Sequence, residues 1–282
     1  MNTPKLSVAL IVHTCDRYAF LYEGFQIFFE KYWNPEIECN YYFATEEIDF
    51  AFGPFVNITS GKGPWADRLA NLLKNHIKED YILYFQEDMW LTQPVNSIFF
   101  KQLFSLVAKE RWPQIKLHSS NAYRCQATDW FIEGFNVARL VNEQSAFLMS
   151  HQVTLWKKDF LLAQLYKNEH PWRNERRGTK RLKKLDPEIF QIDYFAENGQ
   201  PAYNANQNPQ QRSCYYTVSV NGMLGDSVER YITELLADDN PHHKAYGADL
   251  HHHYKNKLTH DGLPQPRKVD IFKRIKNLLQ GK

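Results

Sequence analysis

The chain has 282 residues, of which 43% are hydrophobic and 23% are charged. This composition is typical of a globular protein with a sizeable core and argues against a disordered chain. The 34 Lys and Arg residues nearly balance 32 Asp and Glu residues, which gives a net charge of +2. We therefore expect no nucleic-acid partner, because such partners require a strongly basic surface.

The cysteines and the first apolar run indicate the compartment. The four cysteines are far apart and form no C-x-x-C pair, which argues against a zinc ribbon or a disulfide framework. Residues 6–12 are apolar, but this run is too short to span a membrane. These features predict a soluble, cytoplasmic protein.

Apolar periodicity predicts the elements in chain order. The run over residues 6–12 is typical of a parallel strand covered on both faces, and residues 20–33 follow with helical spacing. Further strands are predicted over residues 39–44, 55–59, 81–85 and 115–119. Further helices are predicted over residues 65–77 and 98–107, and residues 152–166 are predicted to combine a strand end with an amphipathic helix. This alternation indicates an α/β protein with a mainly parallel sheet flanked by helices.

Three segments lie outside this pattern. Residues 174–184 are dense in Arg and Lys, and residues 204–212 are rich in Asn, Gln and Pro, so both are predicted to be exposed loops. After two prolines, residues 271–279 place apolar side chains on one helix face among cations. We therefore divide the chain into a main domain at residues 1–260 and a basic amphipathic tail at residues 261–282. The tail is expected either to contact an anionic membrane surface weakly or to dock on the core.

An acidic pair follows the predicted strand at residues 81–85. Glu87 and Asp88 interrupt apolar sequence on both sides, an arrangement that is costly unless the charges are compensated. A divalent cation bridging a nucleotide diphosphate would compensate them, since Mg²⁺ and Mn²⁺ are held by one or two carboxylates together with phosphate oxygens. The alternative is that the two acids only cap a turn at a hydrated strand end.

The strand that runs into Gln86, Glu87 and Asp88 resembles the D-x-D-like region of GT-A glycosyltransferases, in particular bacterial enzymes that build surface polysaccharide. Residues 63–69, 150–160 and 169–175 are more loosely similar to the same family. The resemblance implies a GT-A fold and Asp88 as a metal ligand. Gln86 replaces the leading acid of the strict motif, so Glu87 is expected to share the contacts to metal and donor.

The activity implied by this resemblance is transfer of a hexose or related sugar from a nucleotide-diphosphate donor. The expected acceptor is a hydroxyl of a glycan or of a lipid-linked molecule, and the expected cofactor is Mn²⁺ or Mg²⁺. A lipid-linked acceptor would place the enzyme at the inner face of the membrane as a peripheral protein. Lipopolysaccharide and capsule are the products that such an enzyme would serve.

Polar residues at two turns are candidates for donor binding. Thr14, Asp16 and Arg17 follow the first strand, and their hydroxyl, carboxylate and guanidinium groups suit a ribose, a base edge and a phosphate. Lys62 and Arg68 flank a predicted helix start, where exposed backbone amides attract anionic phosphate. The alternative for the second turn is an ordinary loop and helix cap, with Arg68 in a surface salt bridge.

Two glutamates are candidates for the catalytic base. Inverting members of the resembled family use an acceptor-side carboxylate to deprotonate the attacking hydroxyl. Glu169 and Glu175 flank a turn with Trp172, and we favour Glu175 because it ends the segment that is similar to the family. Asp193, a lone acid among apolar residues, is an alternative base or a paired structural acid.

The run His251 to His253 is a second metal candidate. Several GT-A enzymes use a late histidine as a metal ligand, and the resemblance implies His252 for that place, or else His253. The alternative is a solvated histidine cluster. The same run with Glu87 and Asp88 would suit a metal-dependent hydrolase. A third possibility is a non-catalytic, glycan-binding peripheral membrane module.

Overall fold

The computed structural model describes residues 6–197 and 212–264. The chain divides into two compact units between Thr217 and Val218. The predicted tail is outside the described residues from residue 265 onward, and so is most of the Asn-rich segment at residues 204–212. The domain boundary predicted after residue 260 therefore stays a prediction.

The first unit contains eleven strands and five helices among its described residues. Its strands are β1 (Val8–His13), β2 (Asn40–Thr45), β3 (Val56–Thr59), β4 (Tyr81–Phe85), β5 (Met89–Leu91), β6 (Gln114–His118), β7 (Cys125–Ile132), β8 (Phe135–Leu140), β9 (Thr154–Lys157), β10 (Ile189–Phe195) and β11 (Tyr215–Thr217). Its helices are α1 (Tyr22–Tyr32), α2 (Trp65–Asn75), α3 (Ser97–Glu110), α4 (Lys158–Gln164) and α5 (Pro171–Leu185).

Nine of these strands form one sheet with the order β3-β2-β1-β4-β9-β6-β10-β8-β7. Strands β1 to β4 are parallel, and β10 is parallel to β6. Strand β9 lies antiparallel between β4 and β6, and β8 is antiparallel to both β10 and β7. All strands of the sheet except β8 and β9 therefore run in one direction. The predicted α/β class with a mainly parallel sheet flanked by helices is confirmed.

The two faces of the sheet have different cores. Side chains alternate along a strand, so Phe43 and Ala44 of β2 face opposite layers. Ala44 belongs to a buried cluster with Leu69 and Leu72 of α2. Phe43 belongs to the other layer, where its ring lies 6.0 Å from that of Phe25 in α1. The uninterrupted apolar strands are thus covered on both faces, as expected for parallel strands.

The prediction of an exposed loop at residues 174–184 is wrong, because this segment lies within helix α5. The buried positions of α5 are Asn174, Gly178 and Leu182, at intervals of four residues. Two of these three residues are not apolar, so the buried face of α5 does not show as an apolar helical pattern in the sequence. Gly178 is needed for close packing, since a Cβ there would lie 2.6 Å from Cγ of Met149.

The second unit contains two helices and a short hairpin among its described residues. The helices are α6 (Glu229–Ala237) and α7 (Pro241–Asn256), and the hairpin strands are β12 (Ser219–Val220) and β13 (Met223–Leu224). The side chain of Asn240 caps α7 by accepting from the amide of His242. None of the helices in the described residues is long and apolar enough to cross a membrane.

Candidate active site

The candidate site lies at the edge of the large sheet where the parallel strands end. Strands β1, β4 and β10 lead into Thr14, Glu87 and Glu197 at this edge. Strand β9 runs in the opposite direction, so it begins at the same edge, just after His151. In open α/β sheets ligands bind beyond the carboxyl ends of the strands. The topology therefore gathers polar residues from distant parts of the chain at one position.

The acidic pair is partly removed from solvent. Glu87 is only 6% exposed, and its Oε2 has no hydrogen-bond partner among the described residues. Burial and the neighbouring charge of Asp88 raise the pKa of Glu87 well above its usual value. Burial raises the pKa of Asp88 to about 7, and the charge of Glu197 contributes to that shift. Uncompensated buried carboxylates are costly, so a positive group would stabilise this edge.

Glu197 is a third acid of the site that sequence reasoning missed. It follows β10 by two residues and is partly buried, and burial raises its pKa. The hydroxyl of Thr217 donates to Oε1 of Glu197 at 3.4 Å. The signal that could have found it is the same one that found Asp88, an acid just past the end of a buried strand. The apolar pattern does not predict β10, so the position of Glu197 after a strand end could not be recognised.

The acids do not form a complete metal cage. Within the described residues, no group of three or more His, Cys, Asp and Glu side chains is arranged to hold a metal ion. Magnesium-type sites commonly need only one or two carboxylates, because substrate phosphates and water provide the remaining oxygens. A cation at Asp88 would therefore require a ligand that brings oxygens of its own.

The side chains of the first predicted donor-binding turn form hydrogen bonds within the protein. The hydroxyl of Thr14 is buried, lies 2.7 Å from that of Tyr22 and donates to the carbonyl of Ala44 at 3.0 Å. The carboxylate of Asp16 accepts from the three backbone amides of residues 46–48 at 2.8, 2.8 and 3.1 Å. Thr14 and Asp16 thus shape the turn, whereas the guanidinium of Arg17 is exposed.

The second donor-binding turn contains one buried and one exposed cation. Arg68 is 5% exposed and donates to the carbonyl of Thr14 at 3.2 Å and to the hydroxyl of Ser60 at 3.1 Å. Its Nε lies 3.5 Å from Oε1 of Glu46. The side chain of Lys62 is 73% exposed and pairs with Glu47 at 2.6 Å. Arg68 therefore joins the two predicted turns and is not the surface salt bridge of the alternative interpretation.

The two candidate bases have different environments. Both oxygens of buried Glu169 accept from the guanidinium of Arg181 at 3.0 Å, and Asn174 donates to Oε2 at 2.8 Å. Glu175 is only partly buried, and its Oε1 accepts from the backbone amide of His151 at 3.0 Å. Glu169 is therefore occupied as a structural ion pair. Glu175 contacts the His151 amide at the same edge of the sheet as the acids, and it remains the stronger candidate for the catalytic base.

A buried lysine stands near Glu175. Lys116 of β6 donates to the hydroxyl of Ser150 at 3.0 Å, and its ammonium lies 5.1 Å from the ring centroid of Tyr123. Burial lowers the pKa of Lys116 to about 7, although the charge of Glu175 opposes this shift. Conversely, burial raises the pKa of Glu175, while the His151 amide and Lys116 act in the opposite direction. The two groups form an interacting pair that sequence spacing did not reveal.

Three aromatic rings with polar atoms, those of His13, Trp65 and His151, form a cluster at this edge of the sheet. The ring of Trp65 lies 4.3 Å from that of His151 and 5.6 Å from that of His13. Burial lowers the pKa of both histidines, with Arg68 adding to the shift of His13 and Lys116 to that of His151. Both shifts favour the neutral form of the imidazole. Their Nε2 atoms and the indole Nε1 are buried and have no hydrogen-bond partner within the described residues.

The histidine run lies on helix α7 of the second unit. Successive residues of an α-helix project about 100° apart, so His251, His252 and His253 point in three directions. His252 is exposed, and Nδ2 of Asn256 lies 3.2 Å from its Nδ1. The metal role of His252 stays a prediction.

A cavity of about 600 Å³ lies at the opposite edge of the sheet. It is bordered by Leu6, Glu38 and the α3 residue Lys101. Leu6 precedes β1 and Glu38 precedes β2, whereas the acids of the candidate site follow their strands. We therefore place the candidate active site at the acidic edge and not at this cavity.

Comparisons with known proteins give little further support. No protein-family model matches the sequence, and no curated protein matches it. The solved structure of S. aureus TarS 1–349 is similar with a TM-score of 0.46 and 10% identity, over 95% of this chain and 77% of that chain. TarS 1–349 in complex with UDP gives a TM-score of 0.46 and 12% identity, over 96% and 78%. These scores are too low for the likeness to carry an argument about this chain.

Proposed function

We propose that this chain is a metal-assisted glycosyltransferase of the GT-A type that uses a nucleotide-diphosphate sugar. The observation that carries the proposal is the edge where β4 and β10 end. There Asp88 and Glu197 repel each other, and one oxygen of buried Glu87 has no hydrogen-bond partner in the described part of the chain. Such an edge is suited to a cation that arrives with phosphate oxygens.

Mn²⁺ or Mg²⁺ fits the residues present. Asp88 would hold the cation, with Glu87 or Glu197 as a second carboxylate, and all three are hard oxygen ligands. When bound, the cation supplies positive charge that stabilises a departing diphosphate. Without it, the elevated pKa of Asp88 shows that the folded chain disfavours its charged form.

The donor is proposed to lie between the acids and the turn that follows β1. Arg68 places a buried positive charge beneath this turn through its bond to the Thr14 carbonyl. Both Arg17 and Lys62 have exposed side chains near this turn, and Lys62 must leave Glu47 before it can contact phosphate. The Asp16 carboxylate connects this turn to the residues that follow β2 by accepting from the amides of residues 46–48.

Glu175 is proposed as the base. The acceptor hydroxyl gives its proton to the Glu175 carboxylate, and its oxygen bonds to the anomeric carbon of the donor sugar. The bond from that carbon to the diphosphate oxygen breaks, and its electron pair leaves with the diphosphate. The His151 amide fixes Glu175, and the nearby charge of Lys116 favours its ionised form.

The experiment that tests this function is release of nucleoside diphosphate from a panel of nucleotide sugars with Mn²⁺. We expect turnover by the wild-type chain and none by Asp88→Ala. Asp80→Ala is a matched control, because Asp80 is an exposed acid at the other end of β4. Undiminished turnover by Asp88→Ala would refute the assignment.

A further inference from the structure

Helix α5 carries an unusual density of positive charge. Its 15 residues include seven Lys and Arg residues and one acid, Glu175. Like charges three and four residues apart destabilise a helix, so this density has a cost that an anionic partner would offset. The charge was visible in the sequence, but its arrangement was not, because the segment was predicted to be a loop.

Part of this charge is neutralised within the chain. Arg181 pairs with Glu169 at 3.0 Å, and Arg177 lies 3.9 Å from the same carboxylate. Lys183 donates to the carbonyl of Glu143 at 2.6 Å. These three cations therefore already have partners within the chain.

The other four cations form an exposed row. They are Arg173, Arg176, Lys180 and Lys184, which we call the basic ridge. Within residues 6–197 and 212–264 none of the four has a salt bridge. They are spaced three or four residues apart and therefore follow one another at about 4.5–6 Å along the helix axis. Such a row suits a chain that carries an anionic group on each repeating unit.

The basic ridge begins beside the proposed base. Trp172 is 66% exposed in the first turn of α5, and its ring lies 5.3 Å from that of His170. Trp172 and Glu175 are three residues apart and so are neighbours on the helix. An exposed indole provides a flat apolar face on which a sugar ring can stack. Glu175 projects from a different side of α5 than the ridge cations, so a glycan on the ridge would reach Glu175 by crossing the first turn of the helix at Trp172.

We propose that the basic ridge and Trp172 bind an anionic glycan and that this glycan is the sugar acceptor. This inference rests on the proposed function, since it names the acceptor class of the same site. The carboxylate, phosphate or sulfate groups of the glycan pair with the ridge cations. Trp172 contacts the sugar whose hydroxyl reaches Glu175.

Other anionic partners fit the ridge less well. A helix that binds a membrane surface needs an apolar face, but the large exposed apolar residues of α5 are Trp172 and Leu185, at its two ends. Single-stranded nucleic acid is typically held by several stacking rings, whereas the ridge has one. The net charge of the chain is only +2, so its positive surface is local.

The test is binding of the full chain to two anionic glycans, polygalacturonate and heparin, with neutral dextran as the reference. We expect binding of at least one anionic glycan, weakened by salt, and none of dextran. The variant Arg176→Gln with Lys180→Gln should lose about tenfold or more in affinity, as expected for removal of two contacting charges. The matched control is Lys74→Gln with Lys78→Gln, two exposed lysines also four residues apart, and it should bind like the wild type.

Several results would overturn the inference. These are no binding of either anionic glycan, equal losses in the two double variants, or tighter binding of an oligonucleotide or of anionic phosphatidylglycerol vesicles. Thermal unfolding of both double variants checks that the chain stays folded. Release of nucleoside diphosphate by the wild type, measured without glycan, tests the proposed function separately. If the glycan binds through the ridge but no nucleoside diphosphate is released, the result would support the glycan-binding surface and contradict the proposed transferase activity.

Discussion

Trp90 donates its indole N–H to the backbone carbonyl of Glu87 at 2.9 Å. The ring of Trp90 is fully buried and stacks on Phe28 of α1 at 5.5 Å between centroids. The turn that carries the two acids is therefore fixed from the inside of the protein, independently of any ligand. A site that is organised before its ligand arrives loses less free energy on binding.

Gly24→Ala should disturb this support. A Cβ at Gly24 would lie 2.1 Å from Cζ2 of Trp90, so the indole has to move. We expect a loss of about 1–3 kcal/mol in the free energy of unfolding, as for other overpacked cores. Chemical denaturation measures this, with Gln26→Ala on the same helix as the control. A Gly24→Ala chain as stable as the control would show that Trp90 is not held in this position.

Asp88→Asn should stabilise the metal-free chain at high pH. The pKa of Asp88 is about 7 in the folded chain, whereas an unfolded Asp titrates near about 4. Between these values the folded state keeps a proton that the unfolded state has lost, so wild-type stability falls as pH rises. The variant does not lose stability in this way as pH rises. The difference in the free energy of unfolding between variant and wild type should reach a few kcal/mol, about 1.4 kcal/mol for each unit by which the pKa is raised.

The measurement is urea denaturation of the wild type and Asp88→Asn from pH 4 to pH 8 in the presence of a chelator. The two stabilities should converge toward pH 4 and separate toward pH 8. Asp80→Asn should follow the wild type at every pH. A constant difference between wild type and Asp88→Asn across this range would contradict the assigned environment of Asp88.

Glu175→Gln should slow transfer without weakening donor binding. Gln keeps an oxygen for the His151 amide but cannot accept the proton of the acceptor hydroxyl. General-base groups typically contribute about 10²–10⁴-fold to a rate, so kcat should fall within that range. Steady-state kinetics with an acceptor and calorimetric titration with the donor separate the two effects. Wild-type rates in this variant would remove Glu175 as the base.

Glu169→Gln should act on stability instead of catalysis. The substitution leaves Arg181 facing a neutral amide at a buried site, which costs about 3–5 kcal/mol when one partner of a buried ion pair is removed. Thermal and chemical unfolding measure the loss. If Glu169→Gln unfolds like the wild type but transfers sugar far more slowly, then Glu169 and not Glu175 is the base.

The sequence predicts much of the sheet, most clearly β1 and β4, which are nearly continuous apolar runs. Strands β1, β2, β3, β4 and β6 lie where the pattern placed them. Strand β10 escaped prediction because Gln191 and Asp193 interrupt its apolar residues, although both are buried. Helix α5 escaped because Asn174 and Gly178 occupy positions where apolar residues would have shown the helical period.

The sequence predicted only the part of the site whose residues are close together along the chain. Glu87 and Asp88 lie at the expected strand end. An acid that follows an apolar strand can be recognised from the local sequence, without knowledge of the strand order. Lys116, His151 and Glu197 join them only because β9 lies between β4 and β6 and β10 lies beside β6. Strand order of this kind depends on long-range pairing, which local periodicity does not contain. The internal bonds of Asp16 are hidden from the sequence for the same reason.

The central claim is that Asp88 binds a cation together with a nucleoside diphosphate. Calorimetric titration of a panel of nucleoside diphosphates into the protein, with and without Mn²⁺, tests it most directly. We predict that one nucleotide binds in an Mn²⁺-dependent manner to the wild type and to Asp80→Ala, and about 100-fold more weakly to Asp88→Ala, as for loss of a principal ligand group. Equal affinity of Asp88→Ala and the wild type for the nucleotide with Mn²⁺ would contradict the account.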